Sequence, residues 1–214
     1  MIDFSNIRRS FSKEETLLKK ELFHKNPMEE CILWLRTVEE KKLEDGNAMT
    51  LSTSTKSGDV SSRTVLLKYL DHRGFSFFTN YNSRKAKDIL ENPKVSITFY
   101  WPSLNRQIIA SGTCEKLSFE ETERYFNSRP RLNQLQAKAS NQDEEIESME
   151  VVLKKIEEID QKYHNQPLPT PAHWGGFLIR PQMVEFWQGT QGRLNLRFRY
   201  TLENGIWQIR QLSP

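Results

Sequence analysis

The stretch Ala48–Thr79, AMTLSTSTKSGDVSSRTVLLKYLDHRGFSFFT, decides the fold class. It contains three strand-like runs, Ala48–Thr55, Val60–Leu70 and Phe75–Thr79, which alternate in polarity or are rich in β-branched and aromatic residues. Short turns containing Gly and Asp separate the runs. Strands do not alternate regularly with helices, so a doubly wound parallel fold is not expected. The pattern favours an antiparallel barrel.

The same β pattern continues towards the C-terminus. Further strands are predicted at Lys94–Trp101, Gln107–Leu117, Val184–Gly189, Leu194–Leu202 and Ile206–Leu212, the last two forming a hairpin around Asn204-Gly205. Helices are predicted from Pro27 to about Asp45-Gly46 with Asn26 as N-cap, from Ser83 (as cap) to Glu91, from the capping box at Ser118 to Pro130, and from Asp143 to His164. The predicted class is α+β, mainly β, with helices flanking the barrel.

The composition is that of a single domain. The chain has 214 residues, of which 36% are hydrophobic, and this low share suggests that a ligand or a second subunit completes the core. The net charge of +3 is too small to indicate nucleic-acid binding. Residues 1–25 are polar and basic and are interpreted as a mobile arm, and residues 26–214 as one domain.

Cysteine usage and hydropathy predict a soluble cytoplasmic protein. Two cysteines, Cys31 and Cys114, do not make a disulfide framework, so a reducing compartment is expected. The N-terminus carries no signal-peptide pattern. No apolar run approaches the ~20 residues of a membrane helix, and no membrane contact is expected.

The usual catalytic signatures are missing from the sequence. The four histidines are scattered and lack metal-ligand spacing, so no metal is predicted. There is neither a Gly-rich phosphate loop nor a nucleophile elbow. If the protein is an enzyme, a bound cofactor is expected to carry the chemistry.

Basic residues at the start of the second predicted helix suggest a phosphate site. Ser83-Arg84-Lys85 places two cations in a first turn, where helices favour anions and bind phosphate. The alternative is a solvated basic turn, which the tripeptide alone favours. Arg63 and Lys68 add cations on one predicted strand, but at a spacing of five they project to opposite faces unless a bulge or twist intervenes.

A second basic group lies near the C-terminus. Arg193, Asn195 and Arg197 alternate on a predicted strand and share one face, downstream of Trp187. A planar aromatic beside a cationic strand suits a flat anionic ligand, although an exposed strand face is the simpler explanation.

Six sequence motifs, taken together, resemble one known family. They are Arg63-Thr64-Val65-Leu66-Leu67-Lys68, Phe78-Thr79-Asn80-Tyr81-Asn82-Ser83-Arg84-Lys85, Phe99-Tyr100-Trp101 with Arg106-Gln107, Tyr125-Phe126-Asn127-Ser128-Arg129-Pro130, Trp174-Gly175-Gly176, and Glu185-Phe186-Trp187-Gln188-Gly189 with Arg193-Leu194 and Arg197. Their order is that of the pyridoxamine 5′-phosphate oxidase family, and the resemblance runs from about Arg8 to Pro214.

The resemblance implies a split β-barrel and a homodimer with two flavin mononucleotide (FMN) molecules at its interface. It implies that the FMN phosphate is held by Arg63, Arg84 and Lys85. It implies that the flavin is lined by Thr64, Val65, Leu66, Leu67, Lys68, Phe78 and Thr79, and that its polar ring edge is met by Gln107. It also implies that the site is completed, partly from the other subunit, by Gln142, Trp187 and Arg197. It implies a substrate site of Arg8, Lys68, Tyr125, Arg129, Asn133, Arg193 and Asn195, with Arg193 and Asn195 as the catalytic pair and Asp45 near the closing arm.

The implied reaction is the oxidation of pyridoxamine or pyridoxine 5′-phosphate to pyridoxal 5′-phosphate, with oxygen as acceptor. The flavin takes a hydride from the carbon that bears the amine, and the imine then hydrolyses. On this basis the protein supplies position and charge rather than a catalytic triad.

Departures from the family pattern concentrate around the substrate. The family's Arg-Leu-His-Asp-Arg is here Arg193-Leu194-Asn195-Leu196-Arg197, and further differences are Asn133 for Ser, Gln136 for Gly, Asp143 in the usual Gln-Ser pair, and Phe11 for the arm tyrosine. Two alternatives therefore stay open. One is a related FMN oxidase with another substrate, of the phenazine type, and the other is a non-catalytic carrier of FMN or pyridoxal phosphate.

Overall fold

The computed structural model describes residues 18–190 and 194–214. Its strands are β1 (Ala48–Ser54), β2 (Val60–Leu66), β3 (Tyr69–Asp71), β4 (Gly74–Asn80), β5 (Lys94–Trp101), β6 (Arg106–Lys116), β7 (Trp174–Gln188), β8 (Leu196–Glu203) and β9 (Ile206–Leu212). Its helices are α1 (Pro27–Glu40), α2 (Arg84–Glu91), α3 (Phe119–Ser128), α4 (Arg131–Ala139) and α5 (Met149–Lys162), with 3-10 turns at Lys20–Leu22 and Pro102–Leu104.

The strands form one antiparallel sheet. Its order is β2-β1-β5-β6-β7-β4-β3, and β8 and β9 extend it from β7. The long strand β7 pairs with β6 along its length, with β4 over its first half and with β8 over its second half. The sheet therefore divides at β7, which confirms the antiparallel, mainly β class and the split barrel.

A β-bulge lies where β7 changes partners. The register of β6 against β7 shifts between Ser111 and Gly112, opposite Pro181. A Cβ on Gly112 would lie 2.0 Å from the carbonyl oxygen of Arg180, so only glycine fits this close approach. The bulge bends the two strands at the division of the sheet.

Alternating apolar residues of the strands fill the core. On β5 the buried residues are Val95, Ile97, Phe99 and Trp101, and the indole of Trp101 donates a 2.8 Å hydrogen bond to the carbonyl of Gly46. Helix α1 covers this core with Met28, Cys31, Trp34 and Val38, and the Asn26 side chain caps its first turn, as predicted.

A second, smaller cluster joins α3 and α4 to the sheet. It contains Phe126, Leu135, Ala137, Leu168 and Trp174, and Ile156 and Ile159 of α5 pack on it. This cluster fixes the helices beside β4, where the site described below lies.

Several sequence predictions needed correction. The helix predicted at Asp143–His164 begins only at Met149, and Asp143 itself has φ +71°, outside the right-handed helical region. Helix α4 was not predicted, because Pro130 was taken only as a helix end, although proline also suits a helix start. Ser83 occupies the N-cap position of α2, but its hydroxyl donates to the Asn80 carbonyl and does not accept from the helix.

The predicted strand Val60–Leu70 is interrupted. β2 ends at Leu66, the Leu67 N–H donates to Asn47, and the Lys68 N–H donates to Ser76. Arg63 and Lys68 were expected on opposite faces unless an irregularity intervened, and this break is such an irregularity: both residues line the same cleft.

Within the predicted arm 1–25, residues 18–25 contact the barrel. Leu18 and Phe23 pack against the main core, and the Leu18 N–H donates to the side chain of Gln188 at 3.0 Å. Residues 1–17, including Arg8 and Phe11, lie outside the described residues. No helix in the described ranges is long and apolar enough to cross a membrane.

Candidate functional site

The candidate site is a cleft of about 1270 Å³ between β2 and β4 on one side and α2, α3 and α4 on the other. Thirteen of the predicted site residues line it: Arg63, Thr64, Val65, Leu66, Lys68, Phe78, Thr79, Arg84, Lys85, Tyr125, Arg129, Asn133 and Gln142. Residues far apart in the sequence thus converge on one cavity.

The first group in the cleft is cationic and lies at the start of α2. Lys85 is only 7% exposed, and its ammonium lies 3.3 Å from the hydroxyl of Thr79. Burial lowers the pKa of Lys85, although nearby Asp143 acts in the opposite direction. A desolvated ammonium beside a helix N-terminus makes this a favourable place for an anion.

Arg63 reaches the same end of the cleft from β2. Its guanidinium donates to the Leu51 carbonyl at 3.2 Å, to the Thr53 hydroxyl at 2.8 Å and to the Ser61 hydroxyl. The buried carboxylate of Asp88 lies 3.9 Å away. Burial lowers the pKa of Arg63, and Asp88 partly offsets that effect. These contacts hold the cation in one position.

A carboxylate also lies at this end. The backbone N–H of Arg84, in the first turn of α2, donates to Asp143 Oδ2 at 2.7 Å. Asp143 lines the cleft together with Gln142, whose side-chain oxygen lies 3.4 Å from the Thr79 hydroxyl.

The second group in the cleft combines aromatic rings with the half-buried arginine Arg129. Phe78 stacks on Tyr125 at 3.9 Å between ring centroids and on Trp174 at 5.5 Å. The Arg129 guanidinium lies 4.6 Å above the Trp174 ring. A Cβ at position 176 would lie 2.8 Å from the Phe78 ring, so Gly176 makes room for this stack.

Arg129 carries an unused donor. Its Nη1 is buried, and no group in the described part of the chain accepts a hydrogen bond from it. Burial lowers the pKa of Arg129 and raises that of neighbouring Tyr125. A buried guanidinium donor without an acceptor is costly, so this atom indicates a place for an anionic ligand.

Other predicted residues lie elsewhere. Gln107, Trp187 and Arg197 form a row across β6, β7 and β8, since Gln107 pairs with Trp187 and Trp187 with Arg197 in the ladders. This row does not line the cleft of its own chain. Leu67 is buried in the core and lines a neighbouring cleft of about 550 Å³.

Arg197 is held by a buried carboxylate. Glu185 is 2% exposed and accepts hydrogen bonds from Arg197 Nε at 2.8 Å and from Arg199 at 2.8 and 2.9 Å. Burial on its own raises the pKa of Glu185, but the two guanidinium groups outweigh it and hold the pKa below its usual value. Glu185 thereby fixes the direction of Arg197.

Asn195 lies just before β8. Its side-chain oxygen accepts a 3.2 Å hydrogen bond from the Thr190 N–H. The predicted strand began at Leu194, but β8 begins at Leu196. Arg193 lies outside the described residues.

Known proteins are similar to this chain in sequence and in architecture. The family model described as pyridoxamine 5′-phosphate oxidase matches residues 37–163, and a model of the pyridoxine 5′-phosphate oxidase C-terminal dimerisation region matches residues 174–214. The pyridoxine/pyridoxamine 5′-phosphate oxidase of Trichormus variabilis is 47% identical over 190 residues, 88% of this chain and 89% of that protein. Its namesake in Rippkaea orientalis is 42% identical over all of both chains.

The chain belongs to the pyridoxamine 5′-phosphate oxidase family.

A solved structure extends the likeness. PhzG from Burkholderia lata 383, in complex with tetrahydrophenazine-1-carboxylic acid, has a TM-score of 0.87 and 28% identity, with 92% of this chain and 98% of that chain covered. A pyridoxamine 5′-phosphate oxidase-related, FMN-binding protein from Nostoc punctiforme has a TM-score of 0.72 at 16% identity, which supports the fold alone.

Family resemblance at single residues did not reveal every member of the site. Asp143 and Trp174 line the cleft, as do Asp88, Ser128 and Ala137, yet none was predicted as a site residue. For Trp174 the signal was present in the Trp174-Gly175-Gly176 motif. Asp143 was noted only as a departure from the family pattern, and its place at the start of α2 follows from the loop that precedes α5.

Proposed function

We propose that this protein is an FMN-dependent pyridoxine/pyridoxamine 5′-phosphate oxidase, which converts pyridoxamine or pyridoxine 5′-phosphate to pyridoxal 5′-phosphate in vitamin B6 metabolism. The observation that carries this function is the pairing of two cationic groups in one cleft. Two neighbouring residues of β4 contact both groups. Thr79 contacts Lys85 of the first group, and Phe78 stacks on Tyr125 and Trp174 of the second. Two anionic ligands with flat rings fit this arrangement. The choice of reaction is supported by the family to which the chain belongs.

The residues at the start of α2 fit the phosphate of FMN. The donor set is Arg63, Arg84 and Lys85 with the first N–H groups of a helix, and phosphate is the anion that such a set favours. The sequence contains no dinucleotide-binding fingerprint, so FMN is preferred to a flavin dinucleotide. When bound, FMN supplies the acceptor for two electrons, and oxygen is the proposed final acceptor.

The residues around Arg129 fit the substrate phosphate. The unused Arg129 donor gains an acceptor there, and Lys68 and Tyr125 line the same cleft. Asn133 occupies the position of the family's serine and is exposed on the cleft wall. Arg129 orients the phosphate, and the aromatic stack excludes water beside the substrate ring.

The second half of the flavin site is proposed to come from another copy of the chain. Gln107, Trp187 and Arg197 form a polar row on β6, β7 and β8, within or beside the region that matches the dimerisation model. A twofold dimer presents the same row to the partner's cleft. We therefore propose a homodimer with two shared sites, in which Asn195 and Arg193 face the substrate.

The test is direct. The purified protein should carry a flavin spectrum or take up FMN in a titration, and adding pyridoxamine 5′-phosphate should reduce the flavin and consume oxygen. A protein that binds FMN but is not reduced by pyridoxamine or pyridoxine 5′-phosphate would contradict the substrate. A protein that binds no FMN would contradict the whole proposal.

A second function has one observation in its favour. The similarity to PhzG, together with Asn195 and Leu196 in place of the family's His and Asp, supports a phenazine-type oxidase. Tetrahydrophenazine-1-carboxylic acid carries a carboxylate and no phosphate, and a carboxylate is also an anion that the half-buried guanidinium of Arg129 can pair with. Oxidation of this compound faster than of pyridoxamine 5′-phosphate would favour the second function.

A further inference from the structure

Asp143 occupies the end of the cleft where an anionic ligand is expected. Its Oδ2 accepts a hydrogen bond of 2.7 Å from the first backbone N–H of α2. The same carboxylate interacts electrostatically with Lys85 and Arg63, in both cases favouring the charged form of the cation. It thus makes the interactions that a phosphate would make with a helix N-terminus and its flanking cations.

The carboxylate is able to leave this position. Asp143 is exposed, and it lies in the segment between α4 and α5 at φ +71°, a conformation that Asp adopts more readily than most residues. The other carboxylate near this end, that of Asp88, is fixed, because it is buried and accepts hydrogen bonds from Thr53 at 2.6 Å and Ser61 at 3.0 Å. Asp143 is therefore the exchangeable anion of the pair.

We propose that Asp143 acts as an internal competitor of the FMN phosphate. In the cofactor-free protein its carboxylate satisfies the start of α2 and the cations around it. FMN binds there only after Asp143 moves away, and the displaced carboxylate still repels the dianionic phosphate. Asp143 thereby weakens the affinity for FMN and speeds its release. This inference rests on the proposed function, since it takes the FMN phosphate to bind at α2.

The experiment compares FMN with riboflavin, which lacks the phosphate. Apoprotein of the wild type, Asp143→Asn and Asp143→Ser is titrated with each ligand, and Kd is read from the quenching of flavin fluorescence. Glu145→Gln is the matched control, because Glu145 is an exposed acid on the same segment and lies outside the cleft lining. Circular dichroism confirms that each variant is folded.

The expected result is a Kd for FMN about tenfold lower in both Asp143 variants, with slower FMN release in stopped-flow exchange. Riboflavin should bind within about twofold of the wild type in every protein, and Glu145→Gln should match the wild type for both ligands. Inorganic phosphate should also raise the melting temperature of the Asp143→Asn apoprotein more than that of the wild type.

Several results would overturn the inference. An unchanged or weaker FMN affinity in both Asp143 variants would do so, and equal weakening for riboflavin would mean that Asp143 holds the flavin instead. An equal fall in the Kd for FMN in Glu145→Gln would also overturn it, because the effect would then come from general surface charge. Failure of the wild type to bind FMN at all would refute the proposed function, a result distinct from FMN binding that ignores Asp143.

Discussion

Replacing Arg129 by methionine separates its role in substrate binding from its role in stability. Met keeps an unbranched stem over the Trp174 ring but removes the charge and the donors. In the wild type, Nη1 of Arg129 is buried without an acceptor in the described part of the chain, so ligand-free folding leaves this donor unsatisfied. An unsatisfied buried polar group costs about 1–3 kcal/mol, and the lost cation–π contact offsets about 0.5–2 kcal/mol of that. We expect Arg129→Met to be more stable by about 1 kcal/mol, or about 2–4 °C in Tm.

The same change should weaken the substrate. A charge-assisted hydrogen bond to phosphate contributes about 1.5–3 kcal/mol, which corresponds to a rise of about 10- to 150-fold in KM for pyridoxamine 5′-phosphate. Pyridoxamine without the phosphate should be oxidised with an unchanged KM, and the Kd for FMN should not change. The assays are oxygen uptake, FMN titration and thermal melting of the apoprotein.

Arg131→Ala is the control for this prediction. Arg131 lies two residues further on, outside the cleft, where it pairs with Asp160 at 2.8 Å and donates to the carbonyls of Gln166 and Tyr163. Its loss should lower stability by about 1–2 kcal/mol and leave KM unchanged. A KM for pyridoxamine 5′-phosphate in Arg129→Met within twofold of the wild type would refute the assignment of Arg129 to the substrate phosphate.

Four further predictions follow from the site. Arg84→Ala should raise the Kd for FMN about tenfold or more, since it removes a charge-assisted contact, and a fluorescence titration measures it. Mixing Arg84→Ala with Arg197→Ala chains should produce heterodimers with one intact site and recover activity, if Arg197 serves the partner's cleft; no recovery in verified heterodimers would place both residues in one chain's site. Ionised Glu185, with its pKa held below the usual value, stabilises the fold above about pH 4.3 and loses this contribution as the pH falls through its folded-state pKa. The Tm advantage of the wild type over Glu185→Gln should therefore be full at pH 7 and shrink in acid, and an advantage that is constant down to pH 3 would contradict it. Asn195→His should raise kcat/KM by about ten- to hundredfold and add a pH dependence near neutrality, because histidine titrates there and asparagine does not; identical pH–rate profiles would remove Asn195 from the substrate site.

Local features were predictable where the deciding interactions lie within a few residues. The capping box of α3 forms as expected, with Ser118 and Glu121 exchanging hydrogen bonds of 3.1 Å. The hairpin between β8 and β9 turns at Asn204-Gly205, with φ angles of 50° and 79°, the positive values that this dipeptide favours. Strand β5 alternates as its sequence predicts.

Predictions failed where a contact distant in sequence changed the local outcome. The break between β2 and β3 depends on hydrogen bonds from Leu67 to Asn47 and from Lys68 to Ser76, and no local pattern reports them. Asp143, which was predicted to begin a helix, instead accepts a hydrogen bond from the start of α2, 59 residues earlier in the chain.

The sequence by itself determined the antiparallel class, the places of most strands and helices, and the family. The reason is that hydrophobic periodicity, helix caps, turn residues and short motifs each lie within a short stretch of sequence. Only the tertiary structure decided that Arg63 and Lys68 share a cleft, that Arg129 keeps a buried donor over Trp174, and that Asp143 meets the start of α2. The physical reason is that convergence of side chains depends on the bend of the sheet and on where the helices pack. The bend of the sheet and the packing of the helices depend on the burial of apolar surface across the whole core. No single stretch of sequence determines that burial.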